Sequence, residues 1–154
     1  MEETKKKGRY QRLIIQITSL LEKSPDQQAA MATIASVLHN KMEYFFWCGF
    51  YRLSGERLII GPYQGPPACQ VLEGRGVCLA SVAKKSTIIV PDVEKFEGHI
   101  ACDSRSKSEI VIPVKNKFGE ITAVLDVDSK EYESFTQSDA AYLEEIVKLL
   151  ENFN

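Results

Sequence analysis

No apolar run in this sequence is long enough to cross a bilayer. Met1-Glu2-Glu3-Thr4-Lys5 leads into an amphipathic segment, not into the apolar stretch of a secretory leader. Positive charge is not in excess: Lys and Arg number 19 against 21 Asp and Glu, for a net charge of -2. That balance gives no basic footprint for nucleic acid or an anionic membrane. The Lys5-Lys6-Lys7 run reads as a solvated helix start. No repeat, low-complexity tract or composition shift divides the chain, so residues 1–154 are expected to form a single domain. No Cys-x-x-Cys pair is present, which counts against a zinc site built from the cysteines and His99, and no metal is expected. Together these absences predict a cytoplasmic chain whose cysteines stay reduced unless they cycle through catalysis.

What the sequence does contain is an ordinary globular composition, 44% apolar and 26% charged. Apolar residues at Leu13, Ile14, Ile17, Leu20 and Leu21 have helical spacing and predict a helix over 4–22. Ser24-Pro25-Asp26-Gln27 predicts a capped second helix, with Ser24 as the cap, running to about Asn40. Strands are expected at 44–53 and 57–60, with a third short one at Val71-Leu72 and a short helix over 77–84. A strand at 87–90 is stopped by Pro91, and 110–114 and 121–127 pair across Lys117-Phe118-Gly119. Thr136-Gln137-Ser138-Asp139 has the spacing of a capping box. The closing helix should bury Ala140, Leu143, Ile146, Val147 and Leu150. Helices at both ends of an antiparallel run define an α+β class with one sheet. Residues 91–108 show little regular pattern, and loops of that length are often functional.

Three of the four cysteines lie in segments that do not read as core. Cys69 closes a Gly/Pro-rich run from Gly61, Cys78 ends the turn Gly74-Arg75-Gly76-Val77, and Cys102 lies within Gly98-His99-Ile100-Ala101-Cys102-Asp103. A thiol becomes reactive when it is exposed beside groups that stabilise its thiolate. His99, Arg105 and Lys107 offer that to Cys102, while Asp103 works against it. An oxidised nucleophile needs a second thiol to resolve it, and Cys69 and Cys78 are the partners available. The plain alternative for any one of them is an inert thiol. Cys48, inside an apolar strand, is read as core.

Acidic residues form a second constellation. Asp126 and Asp128 share one face of a strand end by the two-residue period, and Glu109 opens the neighbouring hairpin strand. Clustered carboxylates raise one another's pKa values, which suits proton donation or recognition of an ammonium group. The plain alternatives are a strand end or a site for a hard cation. Alternation also places the only tryptophan, Trp47, with Gly49 and Tyr51 on one face. Gly49 leaves space beside Trp47, a hint of a pocket.

Seven segments occur together and in order: Trp47-Cys48-Gly49-Phe50-Tyr51, Gly61-Pro62-Tyr63-Gln64-Gly65, Ala68-Cys69, Gly74-Arg75-Gly76-Val77-Cys78, Gly98-His99-Ile100-Ala101-Cys102-Asp103, Ser108-Glu109-Ile110-Val111-Ile112-Pro113 and Leu125-Asp126-Val127-Asp128-Ser129. From Trp47 to Ser129 the chain resembles the free methionine-(R)-sulfoxide reductases, enzymes built on a GAF-type domain. The resemblance implies an antiparallel central sheet with the N- and C-terminal helices on one face and a ligand pocket on the other. It implies that Cys102 attacks the sulfoxide, that Cys69 is the principal resolving cysteine, and that Cys78 is a further cysteine able to join the disulfide relay. Trp47 matches the residue against which the substrate's S-methyl group packs. Glu109, Asp126 and Asp128 match the carboxylates that hold its polar groups and assist at the sulfoxide. The implied reductant is thioredoxin, no bound cofactor is needed, and the assembly is a homodimer. Leu79-Ala80 and Ala123 depart from the family pattern, the latter expected as a small change beside the pocket. The rival expectation is a non-catalytic GAF module that senses a small ligand or redox state.

Overall fold

Period-two alternation in the middle of the chain sorts side chains onto two faces of a single sheet, and each face collects its own apolar cluster. The computed structural model describes residues 1–153. Its elements are α1 (Glu3–Leu21), α2 (Gln27–Lys41), β1 (Trp47–Ser54), β2 (Arg57–Gln64), β3 (Val71–Leu72), α3 (Val77–Lys84), β4 (Ile88–Val90), β5 (Ser108–Lys115), β6 (Ile121–Ser129) and α4 (Gln137–Lys148). Single 3₁₀ turns occupy Val93–Lys95 and Leu149–Asn152. The sheet has six strands in the order β3-β2-β1-β6-β5-β4, every pair antiparallel.

One face carries Cys48, Phe50, Ile110, Ile112, Leu125 and Val127, packed against the apolar stripes of α1, α2 and α4. Those stripes come from Tyr10, Leu13 and Ile17, from Ile34 and Leu38, and from Leu143 and Ile146, all at helical spacing. The other face carries Trp47, Tyr51, Val111 and Val124, covered by α3 and the β3 region through Leu72, Val77 and Cys78. The two-faced α+β arrangement expected from the sequence is thus present.

Local differences have physical causes. The α2 cap is Asp26, not Ser24: its carboxylate accepts the Ala29 N–H at 2.8 Å. β1 starts at Trp47, because Phe45 and Phe46 still belong to the turn leaving α2. β2 continues through Gly61-Pro62 to Gln64, with a bulge opposite Phe50. Proline is tolerated there because β3 pairs only with Leu58 and Ile59, which leaves Pro62 on an edge. Ala123 faces the helices and packs in their cluster, so it does not stand beside the pocket. Lys6 is not solvated. It is 1% exposed, and its Nζ lies 2.6 Å from Asp139 in the capping box of α4.

Candidate active site

Strand register assembles the acidic cluster. Trp47 is opposite Asp128 across β1 and β6, and Asp128 is opposite Glu109 across β6 and β5. The next row inward is Gly49, Asp126 and Val111. Two adjacent rungs therefore hold one aromatic ring and three carboxyl groups on the face away from the helices. They line a cavity of about 50 Å³ together with Cys78, His99, Ile100 and Cys102. Six of the seven residues picked from the sequence line this space, and the seventh, Cys69, is bonded to one that does.

Cys69 and Cys102 form a disulfide across 33 residues of sequence, with Cα atoms 5.5 Å apart. Cys102 is exposed and Cys69 half-buried, so an external thiol can reach the bond. The segment bearing Cys69 is tied to the sheet at two points. Trp47 donates its indole N–H to the Pro66 carbonyl at 3.0 Å, and Tyr51 donates its hydroxyl to the Cys69 carbonyl at 2.8 Å. Gly65 makes the close approach possible. Its φ is +124°, and a Cβ there would sit 2.8 Å from the Trp47 ring.

The space next to Gly49 is already filled. A Cβ on Gly49 would lie 2.7 Å from the Trp47 ring, which stacks between Tyr51 and Tyr63 at centroid distances of 5.9 and 5.3 Å. Gly49 therefore makes room for Trp47 and for the Tyr63 side chain of the paired strand, and the ligand space lies beyond the Trp47 ring. Sequence alternation signalled Tyr51 as a neighbour of Trp47, but its hold on the Cys69 backbone has no sequence signature.

The loop bearing Cys102 is braced by charge. The Arg105 guanidinium meets Asp103 at 2.7 Å and lies 4.9 Å above the Phe46 ring. Arg105 holds the Asp103 carboxyl down at about 2. Its charge is thus committed to Asp103, not to the thiol. Partial burial lowers the His99 pKa and favours the neutral imidazole.

Within the pocket the direction is reversed. Burial, followed by the charges of Asp126 and Asp128, pushes the Glu109 carboxyl well above the usual range. Burial also raises Asp126, and burial with the Asp126 charge raises Asp128. Cys78, read from sequence as a loop thiol, lies in the first turn of α3 at 4% exposure. Burial and the neighbouring Asp126 and Glu109 push its thiol well up, so it is held as S–H. The arrangement joins an exposed disulfide to a pocket whose buried carboxyls are biased toward their protonated forms.

A sheet backed by terminal helices, with a pocket on the opposite face, is a GAF fold. No protein-family profile matches the chain. The chain is 48% identical over 149 residues to GAF domain-containing protein A of Dictyostelium discoideum, covering 96% of this chain and 93% of that protein. It is 41% identical over 124 residues to the free methionine-R-sulfoxide reductase of Escherichia coli strain K12, covering 80% and 74% respectively. The solved free methionine-R-sulfoxide reductase of Neisseria meningitidis, in complex with its substrate, superposes with a TM-score of 0.88 at 40% identity, over 93% of this chain and 86% of that one. The chain belongs to the free methionine-R-sulfoxide reductase family.

Proposed function

We propose that the protein reduces free methionine-(R)-sulfoxide to methionine through a cysteine sulfenic acid and an intramolecular disulfide. The observation that carries this is the Cys69–Cys102 bond at the rim of a cavity floored by Glu109, Asp126 and Asp128 and walled by Trp47. In the reduced protein the Cys102 thiolate attacks the sulfoxide sulfur, and a proton shared among the three carboxyls goes to the sulfoxide oxygen. The oxygen passes to Cys102 as methionine leaves, and the Cys69 thiol then displaces it as water. An external dithiol, thioredoxin, reopens the exposed disulfide by exchange.

Trp47 offers an apolar wall to the S-methyl group. The carboxylates suit the ammonium of a free amino acid, which a peptide nitrogen lacks. Cys78 lies buried in α3, so it joins the relay only if that helix end moves. Unchanged recycling in Cys78→Ser would remove it from the relay. Leu79, the departure beside Cys78, packs partly buried in the pocket-side cluster.

We place the protein in the cytoplasm, in keeping with cysteines that cycle, and among the described residues no helix is long and apolar enough to cross a membrane. We also propose a homodimer using the outer face of α1, where Ile15 is 73% exposed. A clean monomer in sedimentation would overturn that assembly.

The deciding experiment is methionine formation with thioredoxin recycling, using the free R epimer, the free S epimer, a peptide-bound sulfoxide and the Cys102→Ser variant. Turnover confined to the free R epimer and absent in the variant supports the reading. Binding of methionine or its sulfoxide without turnover would instead make the chain a ligand-sensing GAF module.

A further inference from the structure

The same cavity contains a donor set whose two carboxyls the reductase reading gives to the substrate, and which together with Cys78 also has the composition of a metal site. Cys78 Sγ and one oxygen each from Glu109 and Asp126 all lie within 4.8 Å of one another, and all three side chains are buried. They come from three separate elements, α3, β5 and β6. An independent observation points to a ligand: Asp126 is 6% exposed, and its Oδ1 has no hydrogen-bond partner among the protein's atoms. A buried carboxylate oxygen left without a partner costs on the order of 1–3 kcal/mol, and a bound cation would remove that cost.

We propose that Cys78, Glu109 and Asp126 form a binding site for a divalent, borderline-soft transition metal of the Zn²⁺ class. One thiolate and two carboxylates are ligand types that Zn²⁺ accepts, with Zn–S near about 2.3 Å and Zn–O near about 2.0–2.2 Å. Three such ligands stand roughly 3.3–3.8 Å apart around one ion, so the present spread closes by shifts of about 1 Å. The fourth position opens into the cavity and takes water. Binding displaces protons from the thiol and the carboxyls. A metal seated here occupies the space assigned above to the polar groups of the sulfoxide, so it would act as an inhibitor. The inhibitory consequence rests on the reductase reading; the site itself does not.

The oxidised form of the full-length protein makes the test clean. With Cys69 and Cys102 joined, the free thiols are Cys48 and Cys78. Cys48 is fully buried among the helices on the opposite sheet face. Co²⁺ titrated into that form reports a coordinated thiolate by its near-ultraviolet charge-transfer absorption. Expected are one Co²⁺ per chain, an unaltered band in Cys48→Ser, no band in Cys78→Ser, and binding at least tenfold weaker in Asp126→Asn and Glu109→Gln. A parent protein with no thiolate band overturns the proposal. So does a band that survives Cys78→Ser, or parent-like affinity in both carboxyl variants should Cys78→Ser fail to fold. Because the readout needs no turnover, an inactive protein with the band refutes only the reductase reading. An active protein without the band refutes only the metal site.

Discussion

The Tyr51 hydroxyl donates to the Cys69 carbonyl at 2.8 Å, which fixes the thiol of one loop to the floor strand of the pocket. Tyr51 also stacks on Trp47, whose indole holds Pro66 of the same loop. Binding surface and disulfide partner are thus positioned by one aromatic pair. Tyr51→Phe keeps the ring and removes only the hydrogen bond, worth about 1 kcal/mol or roughly fivefold in a rate. We expect disulfide formation after the first turnover to slow by about that factor, with the first stoichiometric reduction unchanged. Rapid-quench thiol counting would read it; equal rates in variant and parent would remove Tyr51 from the positioning of Cys69.

Cys69→Ser separates the two halves of the cycle. Cys102 retains its pocket and should still reduce one equivalent of sulfoxide, stopping at a sulfenic acid that a dimedone-type reagent captures. Thioredoxin-driven turnover should fall by at least a hundredfold, since no internal disulfide is left for exchange. Multiple-turnover rates equal to the parent's would end the resolving assignment.

The carboxyl cluster should lower stability where the protein works. Glu109, Asp126 and Asp128 all have raised pKa values in the fold, chiefly through burial. A carboxyl raised above its unfolded value favours the fold while protonated, and that contribution is lost as pH rises through the folded value. The melting temperature of the metal-free oxidised protein is therefore expected to fall as pH climbs above the ordinary carboxylate range of about 4. Glu109→Gln should flatten that fall and melt higher than the parent at neutral pH, while losing activity. A Glu109→Gln variant with the parent's pH slope would contradict this.

Local rules carried much of the sequence reading. α3 occupies the expected 77–84, since Gly74 and Gly76 supply the positive φ of the turn before it, and the Thr136 capping box starts α4. Alternation placed Trp47 with Tyr51, and Asp126 with Asp128, on shared faces. Hairpin pairing then brought Glu109 opposite Asp128. The misreadings at Gly49, Cys78 and Lys6 came from contacts between distant segments. Gly49 looked like open space because the Trp47 ring folds over it and the Tyr63 Cβ arrives from the neighbouring strand. Cys78 looked like a loop thiol because its burial depends on α3 packing over β5 and β6. Lys6 looked solvated because its partner is 133 residues away.

That Lys6–Asp139 pair yields the most severe structural prediction away from the pocket. Lys6 Nζ also donates to the Ser134 carbonyl at 3.2 Å, and Asp139 accepts from the Tyr10 hydroxyl at 2.7 Å and the Thr136 N–H at 2.8 Å. The network ties α1 to the start of α4, and both partners are almost fully buried. Removing one member strands a buried charge or its donors, at a cost of about 3–5 kcal/mol. For a chain of this length that lowers the melting temperature by roughly 10–15 °C. Asp139→Ala should show it in full. Lys6→Met should show less, because Asp139 keeps its hydroxyl and backbone donors. Lys6→Met combined with Asp139→Leu should recover part of the loss, since an apolar pair leaves no unpaired charge. Among these residues none lines the cavity, so turnover per folded molecule at low temperature should match the parent. Thermal melts of the three variants decide it: a single Asp139→Ala melt within a few degrees of the parent would mean the buried pair contributes little.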